Sequence, residues 1–369
     1  MKPSKKMRSA DAPRLIVQIG PDMSAHGGIA SVLSAYALHR DGFEAFGYRL
    51  LFISSGAGSG RGALGVFFLA WIKLVILSLS EQVHVVHIHV SIKGSLLRKL
   101  VFAITCMLFR KKYVIHVHSG MFPAYCAGLP GFAWRIVRTV LTSAQYVICL
   151  SGHAQKQLIS MRLTTREKCR LVYNGIAEPI GMETRKTSSS SDIALTFLGK
   201  LSEQKGIFRL LEALALLPES SPRYRLFVGG EGEVEALSEL SRKYRLDDRV
   251  VFGGWVTGEA KTQLLADTEI FVLPSRSEGF PVSIVEAMAF GTAIVSTRIP
   301  GVMDAIRPEL EGLLVEPDDI GGLRDAISLL LGDAATRRRL GDAARRRFLD
   351  QFTIQKTVHS LVSIYDNVT

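Results

Sequence analysis

Cysteine is scarce. The 369-residue chain has four, Cys106, Cys126, Cys149 and Cys169, with no close pairing along the sequence. That excludes a disulfide-built scaffold and fits a reducing compartment, where a buried thiol behaves as a small hydrophobe. No Asp-x-Asp triplet occurs, so the usual carboxylate pair for holding a divalent ion on a diphosphate is missing. No histidine or cysteine set has zinc-ligand spacing, and no metal is expected. No zinc-finger or RNP-type pattern appears either, which speaks against nucleic acid as a partner. The strongest membrane candidate, 63–79, falls short of the ~20 apolar residues a span needs and contains Lys73. Its expected place is a buried helix between two strands, with a helix lying in the membrane interface as the alternative. The apolar run 15–19 near the start is too short for a signal-peptide core.

What is present is a large apolar chain with uneven charge. Hydrophobic residues make up 47%. The length exceeds the ~250–300 residues at which single cores stop growing, so two domains are expected. Residues 1–190 hold 24 Lys+Arg against 8 Asp+Glu, a net of +16; residues 191–369 hold 21 against 26, a net of −5. The N-terminal half therefore suits phosphorylated or anionic partners, including an anionic membrane surface.

Short aliphatic runs alternate with helical stretches. Strands are expected at 15–19, 48–54, 83–90, 113–117 and 147–150, and again at 193–198, 225–228, 250–252, 270–273 and 293–296. Such alternation predicts α/β architecture, with two doubly wound parallel sheets in series. The expected division is a basic tail at 1–13, a first domain at 14–180, a linker at 181–192, a second domain at 193–350 and a C-terminal helix at 351–369 that crosses back to the first domain. The helical segment 334–348 carries two arginine triplets, read as a solvated face.

Four motifs carry chemistry. The first is 274–296, PSRSEGFPVSIVEAMAFGTAIVS, where a strand ends, Glu278-Gly279-Phe280-Pro281 turns, and a helix begins that carries Glu286 and stops near Gly291. Free N–H groups at that helix start form an anion site. A carboxylate accepts two hydrogen bonds and suits a vicinal diol. The second is FLGKLSEQKG, where Gly199, Lys200, Lys205 and Gly206 follow a strand. Cations there neutralise a leaving diphosphate without metal. The third is Gly27-Gly28 before a helix, which lets the backbone approach a phosphate. The fourth is His116-Val117-His118 at a strand end, with both rings on one face by the period of two. His84, His87 and His89 form another alternating group, VHVVHIHV. Only His89, near the strand end, is a candidate acceptor contact.

The 274–296 block resembles the pattern P-S-x-x-E-G-F-P-x-x-x-x-E-A-M-A-x-G-x-P-V-V of glycosyltransferase family 4, departing at Thr292-Ala293-Ile294. The resemblance covers almost the whole chain and is strongest over 195–331. It implies a GT-B fold, two Rossmann-like domains facing a central cleft, and retaining transfer of a hexose from a GDP- or UDP-linked donor. Glu286 would hold the ribose; Glu278 and the backbone of Gly279, Phe280, Pro281 and Val282 would hold the donor sugar and diphosphate. His118 would contact the donor sugar. Gly27 and Gly28 would contact the donor diphosphate or the sugar acceptor, Gly199 and the turn Gly229-Gly230-Glu231-Gly232 would line the donor, and Asn174 in Asn174-Gly175-Ile176 would face the acceptor. Lys200 stands where the family usually has Arg, and Gly301-Val302-Met303-Asp304 where it often has G-G-x-x-E.

Together these imply a transferase acting on a glycan or a polyprenyl-diphosphate-linked acceptor in polysaccharide or glycolipid synthesis. No cofactor is needed, since the nucleotide-sugar is a substrate. The expected location is the cytoplasm, or the inner face of the cell membrane. The competing readings are a nucleotide-sugar epimerase and a non-catalytic nucleotide-sugar-binding protein, with Glu278 as a covalent nucleophile the alternative mechanism.

Overall fold

Aliphatic runs placed between helices pair in parallel, because each crossover returns the chain to the same edge of its sheet. The computed structural model describes residues 12–56, 61–80, 82–179 and 192–368. Most of the expected basic tail and all of the expected linker except Asp192 lie outside the described residues. The chain divides into two units. Residues 12–177 with 354–368 form the first, and Glu178–Thr353 the second.

The first unit holds β1 (Arg14–Gly20), β2 (Tyr48–Ser54), β3 (Val83–Val90), β4 (Tyr113–Val117), β5 (Tyr146–Cys149) and β6 (Cys169–Leu171), in the order β2-β1-β3-β4-β5-β6. The second holds β7 (Ile193–Leu198), β8 (Tyr224–Gly229), β9 (Val250–Gly254), β10 (Ile270–Leu273), β11 (Ala293–Thr297) and β12 (Leu313–Val315), in the order β12-β11-β10-β7-β8-β9. β6 and β12 are not among the expected strands. Each has three residues at a sheet edge, too few to display a period. All residues of β4, β10 and β11 are buried, as parallel strands covered on both faces must be. Each Val, Ile or Leu enclosed in this way stabilises by about 1.5–3 kcal/mol.

The strand order reverses in each sheet between β1 and β3 and between β7 and β10. Beyond the carboxyl ends of such strand pairs the following loops diverge and leave a crevice, the usual ligand site of doubly wound folds.

The helix Ile354–Asp366 packs on the first unit, against the helices Gly28–Leu38 and Arg40–Glu44. Ile354 N–H donates to the Ile176 carbonyl at 2.8 Å, Thr357 Oγ1 to the Tyr173 carbonyl at 2.9 Å, and Tyr48 Oη to Asp366 Oδ1 at 2.7 Å. It also brings Tyr365, fully enclosed, against the sheet.

Two expectations are corrected. The apolar helix, Arg61–Ser78, is not buried. It encloses Ala70, Leu74 and Ser78 but leaves Leu64, Phe68, Leu69, Ile72 and Ile76 exposed. Its residues are apolar all round, so the sequence offers no polar face from which exposure could be read. Among the described residues no helix is long and apolar enough to cross a membrane. The arginines of the helix Ala334–Gln351 are not simply solvated. Arg337 Nη1 donates to the Leu330 carbonyl at 2.6 Å, and Arg347 Nε to the Ala305 carbonyl at 2.7 Å, so both satisfy helix-end carbonyls. Cys149 and Cys169, distant in sequence, come together on neighbouring strands with their sulfur atoms 3.6 Å apart.

Candidate active site

In the second unit the chemistry gathers where the sheet reverses. β7 leads into Gly199 and Lys200, then a single 3-10 turn, Glu203–Lys205, and the helix Ile207–Ala215. β10 leads into the loop 274–281 and the helix Val282–Ala289. Arg276 N–H donates to the Gln204 carbonyl at 2.9 Å and ties the two loops together. Gly206, at φ 76°, lies so close that a Cβ there would overlap the Pro274 carbonyl oxygen. Only glycine meets both the left-handed backbone and the close approach. Lys205 Nζ then reaches Glu278 Oε1 at 2.5 Å, and Ser275 Oγ donates to the same oxygen at 2.7 Å. The Glu278 side chain is 8% exposed and that of Lys205 28%, so the carboxylate anchors a cation that still faces outward. Lys200 is exposed and makes no ion pair among the described residues.

The helix Val282–Ala289 follows the turn, with Pro281 as its extended N-cap and no side-chain cap. Ile284 N–H is taken by the Pro281 carbonyl at 3.1 Å, while the N–H groups of Val282 and Ser283 have no partner among the described residues, as an anion site requires. Phe280 is buried and lies against Phe352, at 5.4 Å between ring centroids with the rings tilted by 60°. Gly279 and Gly301 are neighbours: a Cβ on Gly301 would strike the carbonyls of Glu278 and Gly279. Glu286 accepts from Lys261 Nζ at 2.6 Å. Lys261, on the helix Gly258–Asp267, is a partner sequence reading missed, being 25 residues away on a segment with no motif. Gly230 N–H donates to the Gly254 carbonyl at 2.7 Å, and a Cβ on Gly230 would overlap the Gly199 carbonyl oxygen, so the two glycine turns touch.

In the first unit Gly27, at φ 147°, precedes the helix Gly28–Leu38, and added Cβ atoms on Gly27 or Gly28 meet nothing within 4 Å. The helix start is open to a ligand. The histidines lie against that helix further along, the His89 ring 6.2 Å from the ring of Tyr36. Gln18 on β1 pairs with His87 on β3, and His89 with His116 on β4, so alternation stacks four rings on one sheet face. His87, His89 and His116 are fully buried; His118 is partly exposed. Burial holds all four rings neutral, pulling His87 and His118 down to about 3 and His89 and His116 well below the usual range. His84 falls at a bulge in the β1–β3 pairing, and its Nε2 lies 3.0 Å from the Tyr365 carbonyl.

Nitrogens of His87, His89 and His116 lie within 4.8 Å of one another, close enough to be considered for a metal ion. Hydrogen bonds already engage both nitrogens of His87 and of His89 and one of His116. The His87 and His89 rings stack 4.3 Å apart at 10°, so their in-plane lone pairs run parallel instead of converging.

Two acceptor expectations are corrected. His89 is enclosed with both nitrogens engaged, at 2.8 Å to His118 and 2.7 Å to Gln18, so it has no edge to offer an acceptor. Asn174 is 3% exposed, with its Oδ1 buried and unpartnered, out of reach of an acceptor in solution. Sequence reading also missed Lys99. It is buried beneath the first sheet's crevice, donates to Ser55 Oγ, and is pulled down to about 7 by burial, with Arg98 adding to the shift. Ser55 in turn donates to the Gly20 carbonyl at 2.7 Å, so Lys99 braces the end of β1.

The comparisons agree with this arrangement. Glycosyltransferase Family 4 matches residues 26–178, and Glycosyl transferases group 1 matches residues 183–347. An uncharacterized glycosyltransferase of Methanocaldococcus jannaschii is 25% identical, with 69% of each chain covered. A glycogen synthase of Mycobacterium tuberculosis is 31% identical over 53% of this chain, which spans about half (47%) of that enzyme's length. HepE of Anabaena, solved with UDP and glucose, superimposes with a TM-score of 0.74 at 19% identity, covering 95% of this chain and 98% of that one. The fold is GT-B, and with its two halves matching adjoining glycosyltransferase regions, the chain belongs to the family 4 glycosyltransferases.

Proposed function

We propose that the protein is a retaining, metal-independent glycosyltransferase that moves a hexose from a UDP- or GDP-linked donor to a hydroxyl of a glycan or lipid-linked glycan. The observation that carries the reading is Lys205 held on Glu278 at the reversal between β7 and β10. The glycosidic C–O bond breaks and its electron pair leaves on the β-phosphate. Lys200, Lys205 and the N–H groups at the start of Val282–Ala289 stabilise that charge. The acceptor oxygen forms the new bond on the same face, and its proton passes to the departing phosphate. Two hydrogen bonds on Glu278 Oε1 favour an anchoring role over that of a covalent nucleophile. Glu286 holds the ribose and shares its carboxylate with Lys261.

HepE was solved with UDP and glucose, which favours UDP-glucose as the first donor to try. Calorimetric titration in excess chelator with UDP-glucose, UDP-galactose, UDP-N-acetylglucosamine and GDP-mannose tests the reading. Binding of one donor, weakened by Glu286→Ala, is expected. Failure of all four to bind the folded protein overturns it.

The acceptor is anionic or is carried in an anionic membrane, such as a polyprenyl-diphosphate-linked sugar, and the enzyme works on the inner face of the cell membrane. Exposed apolar residues on two touching helices, Leu69 and Ile76 of Arg61–Ser78 and Leu97 and Leu108 of Gly94–Leu108, support this. So does the +16 of the N-terminal half, since each well-placed cation adds ~1 kcal/mol near anionic lipid. Sedimentation with phosphatidylglycerol vesicles at low salt, and none with phosphatidylcholine vesicles, is expected. Indifference to both removes the membrane from the proposal.

A further inference from the structure

Six groups in the first unit form one hydrogen-bonded chain. His118 Nε2 lies 2.8 Å from His89 Nδ1, and His89 Nε2 lies 2.7 Å from Gln18 Oε1. Gln18 Nε2 lies 3.1 Å from Tyr365 Oη, Tyr365 Oη lies 2.6 Å from His87 Nδ1, and His87 Nε2 lies 3.2 Å from His116 Nδ1. His116 Nε2 is buried and has no partner.

The Gln18 amide gives this chain a direction. Its oxygen only accepts, so His89 Nε2 must carry a proton. A neutral ring has one N–H, so His89 Nδ1 accepts and His118 Nε2 donates. On the other side the amide nitrogen donates to the Tyr365 oxygen, whose own proton goes to His87 Nδ1. His87 Nε2–H then donates to His116 Nδ1, and His116 keeps its N–H on the unpartnered Nε2. His118 Nδ1 is left as a lone pair. It meets no protein group among the described residues and, unlike His116 Nε2, it is not sealed from solvent.

We propose that Gln18 and Tyr365 are positioning residues that, acting through His89, hold His118 as its Nε2–H tautomer, so that Nδ1 accepts a hydrogen bond from a hydroxyl of the bound sugar. The sugar contact rests on the function proposed above; the tautomer does not. A lone pair fixed in this way takes hydroxyl donors and repels acceptor-only groups such as phosphate oxygens or a keto group. His118 thereby selects a hydroxyl and does not itself protonate the leaving group. The C-terminal helix, which brings Tyr365, is the remote element that sets this preference.

Nitrogen-15 spectra of the full chain labelled at histidine test the inference without any substrate. The wild-type protein is expected to show His89 and His118 protonated at Nε2 alone, with His87 also Nε2–H. Gln18→Glu keeps an acceptor facing His89 but turns the Tyr365 hydroxyl toward the new carboxylate. His118 should then keep its tautomer while His87 and His116 switch to Nδ1–H. Tyr365→Phe removes the group that orients the amide, and His118 should become a mixture of tautomers. Its kcat/KM with the donor that binds wild type should fall about tenfold, the usual scale for one lost hydrogen bond. Melting curves confirm that each variant is folded; if Gln18→Glu is not, the Tyr365→Phe comparison stands alone. A wild-type His118 protonated at Nδ1, or a His118 signal unmoved by Tyr365→Phe in folded protein, overturns the proposal. Correct tautomers in a protein that binds none of the four donors would instead sink the functional reading and leave the relay intact.

Discussion

Lys205 Nζ lies 2.5 Å from Glu278 Oε1, joining two loops that leave neighbouring strands 73 residues apart in sequence. The contact forms only because Gly206 lets the first loop pass under Pro274. Charge, carboxylate and glycine thus act as one device, and the device can be taken apart.

Replacing Lys205 with Ala removes a cation aimed at the developing phosphate charge. Loss of one such group typically costs about 10²–10³ in kcat. Glu278→Gln keeps an acceptor for Ser275 and Lys205 but drops its charge, and a smaller loss, about tenfold, is expected. Initial rates with the donor that binds wild type give both values. Equal, minor effects of the two would mean that Lys205 is a structural partner only.

Gly206→Ala and Gly28→Ala should separate scaffold from site. Alanine at 206 must adopt φ 76° and overlap a carbonyl, so destabilisation of ~1–3 kcal/mol or more is expected. At 28 the added methyl meets nothing within 4 Å, and stability should stay within ~0.5 kcal/mol. Donor or acceptor binding should nevertheless weaken if that backbone approaches a phosphate. Urea unfolding and calorimetry on the two variants make the comparison.

Much of this was readable before the fold. The strand runs, the glycine turns, Lys205 and the 274–296 block are local signals, and local signals survive translation into sequence. Four things were not local. Lys261 finds Glu286 only through the packing of two helices. His89 looks like a strand-end residue free to meet a ligand, yet Gln18 on β1 and His118 just past β4 occupy both its nitrogens. The apolar helix Arg61–Ser78 was misread because hydrophobicity on every face says nothing about which face the sheet covers. Tyr365 carried no signal, since its role depends on where the last helix docks.

A metal ion is the rival explanation of the buried histidines. If hydrogen bonds hold the cluster, stoichiometric Co²⁺ added to chelator-treated protein should give no ligand-field absorption. Donor binding should also be the same with and without chelator. Strong tetrahedral Co²⁺ bands, lost in His116→Gln, would show that the three rings reorganise around an ion.

The same rings make stability depend on pH. His87, His89, His116 and His118 have folded pKa values below the unfolded value of ~6.5. Above pH ~6.5 both states are neutral and the cluster adds no slope. As pH falls below that, the unfolded chain takes up protons that the folded chain refuses, so stability is lost. Each ring contributes up to about 1.4 kcal/mol per pH unit, and the four together up to ~5.5. Lys99 acts in a higher window. Its folded value near 7 lies below the unfolded ~10.4, so between those limits stability rises with pH, by at most one proton's worth. Urea unfolding at half-unit steps from pH 9 to 5 should therefore show a gentle rise with pH above 7 and a steep fall below 6.5. His116→Leu should reduce the acid slope by about one proton, because it removes one of the four refusing rings. A stability flat from pH 6.5 to 5 would mean that the rings are protonated inside the fold, and the hydrogen-bond directions drawn from their neutrality would have to be abandoned.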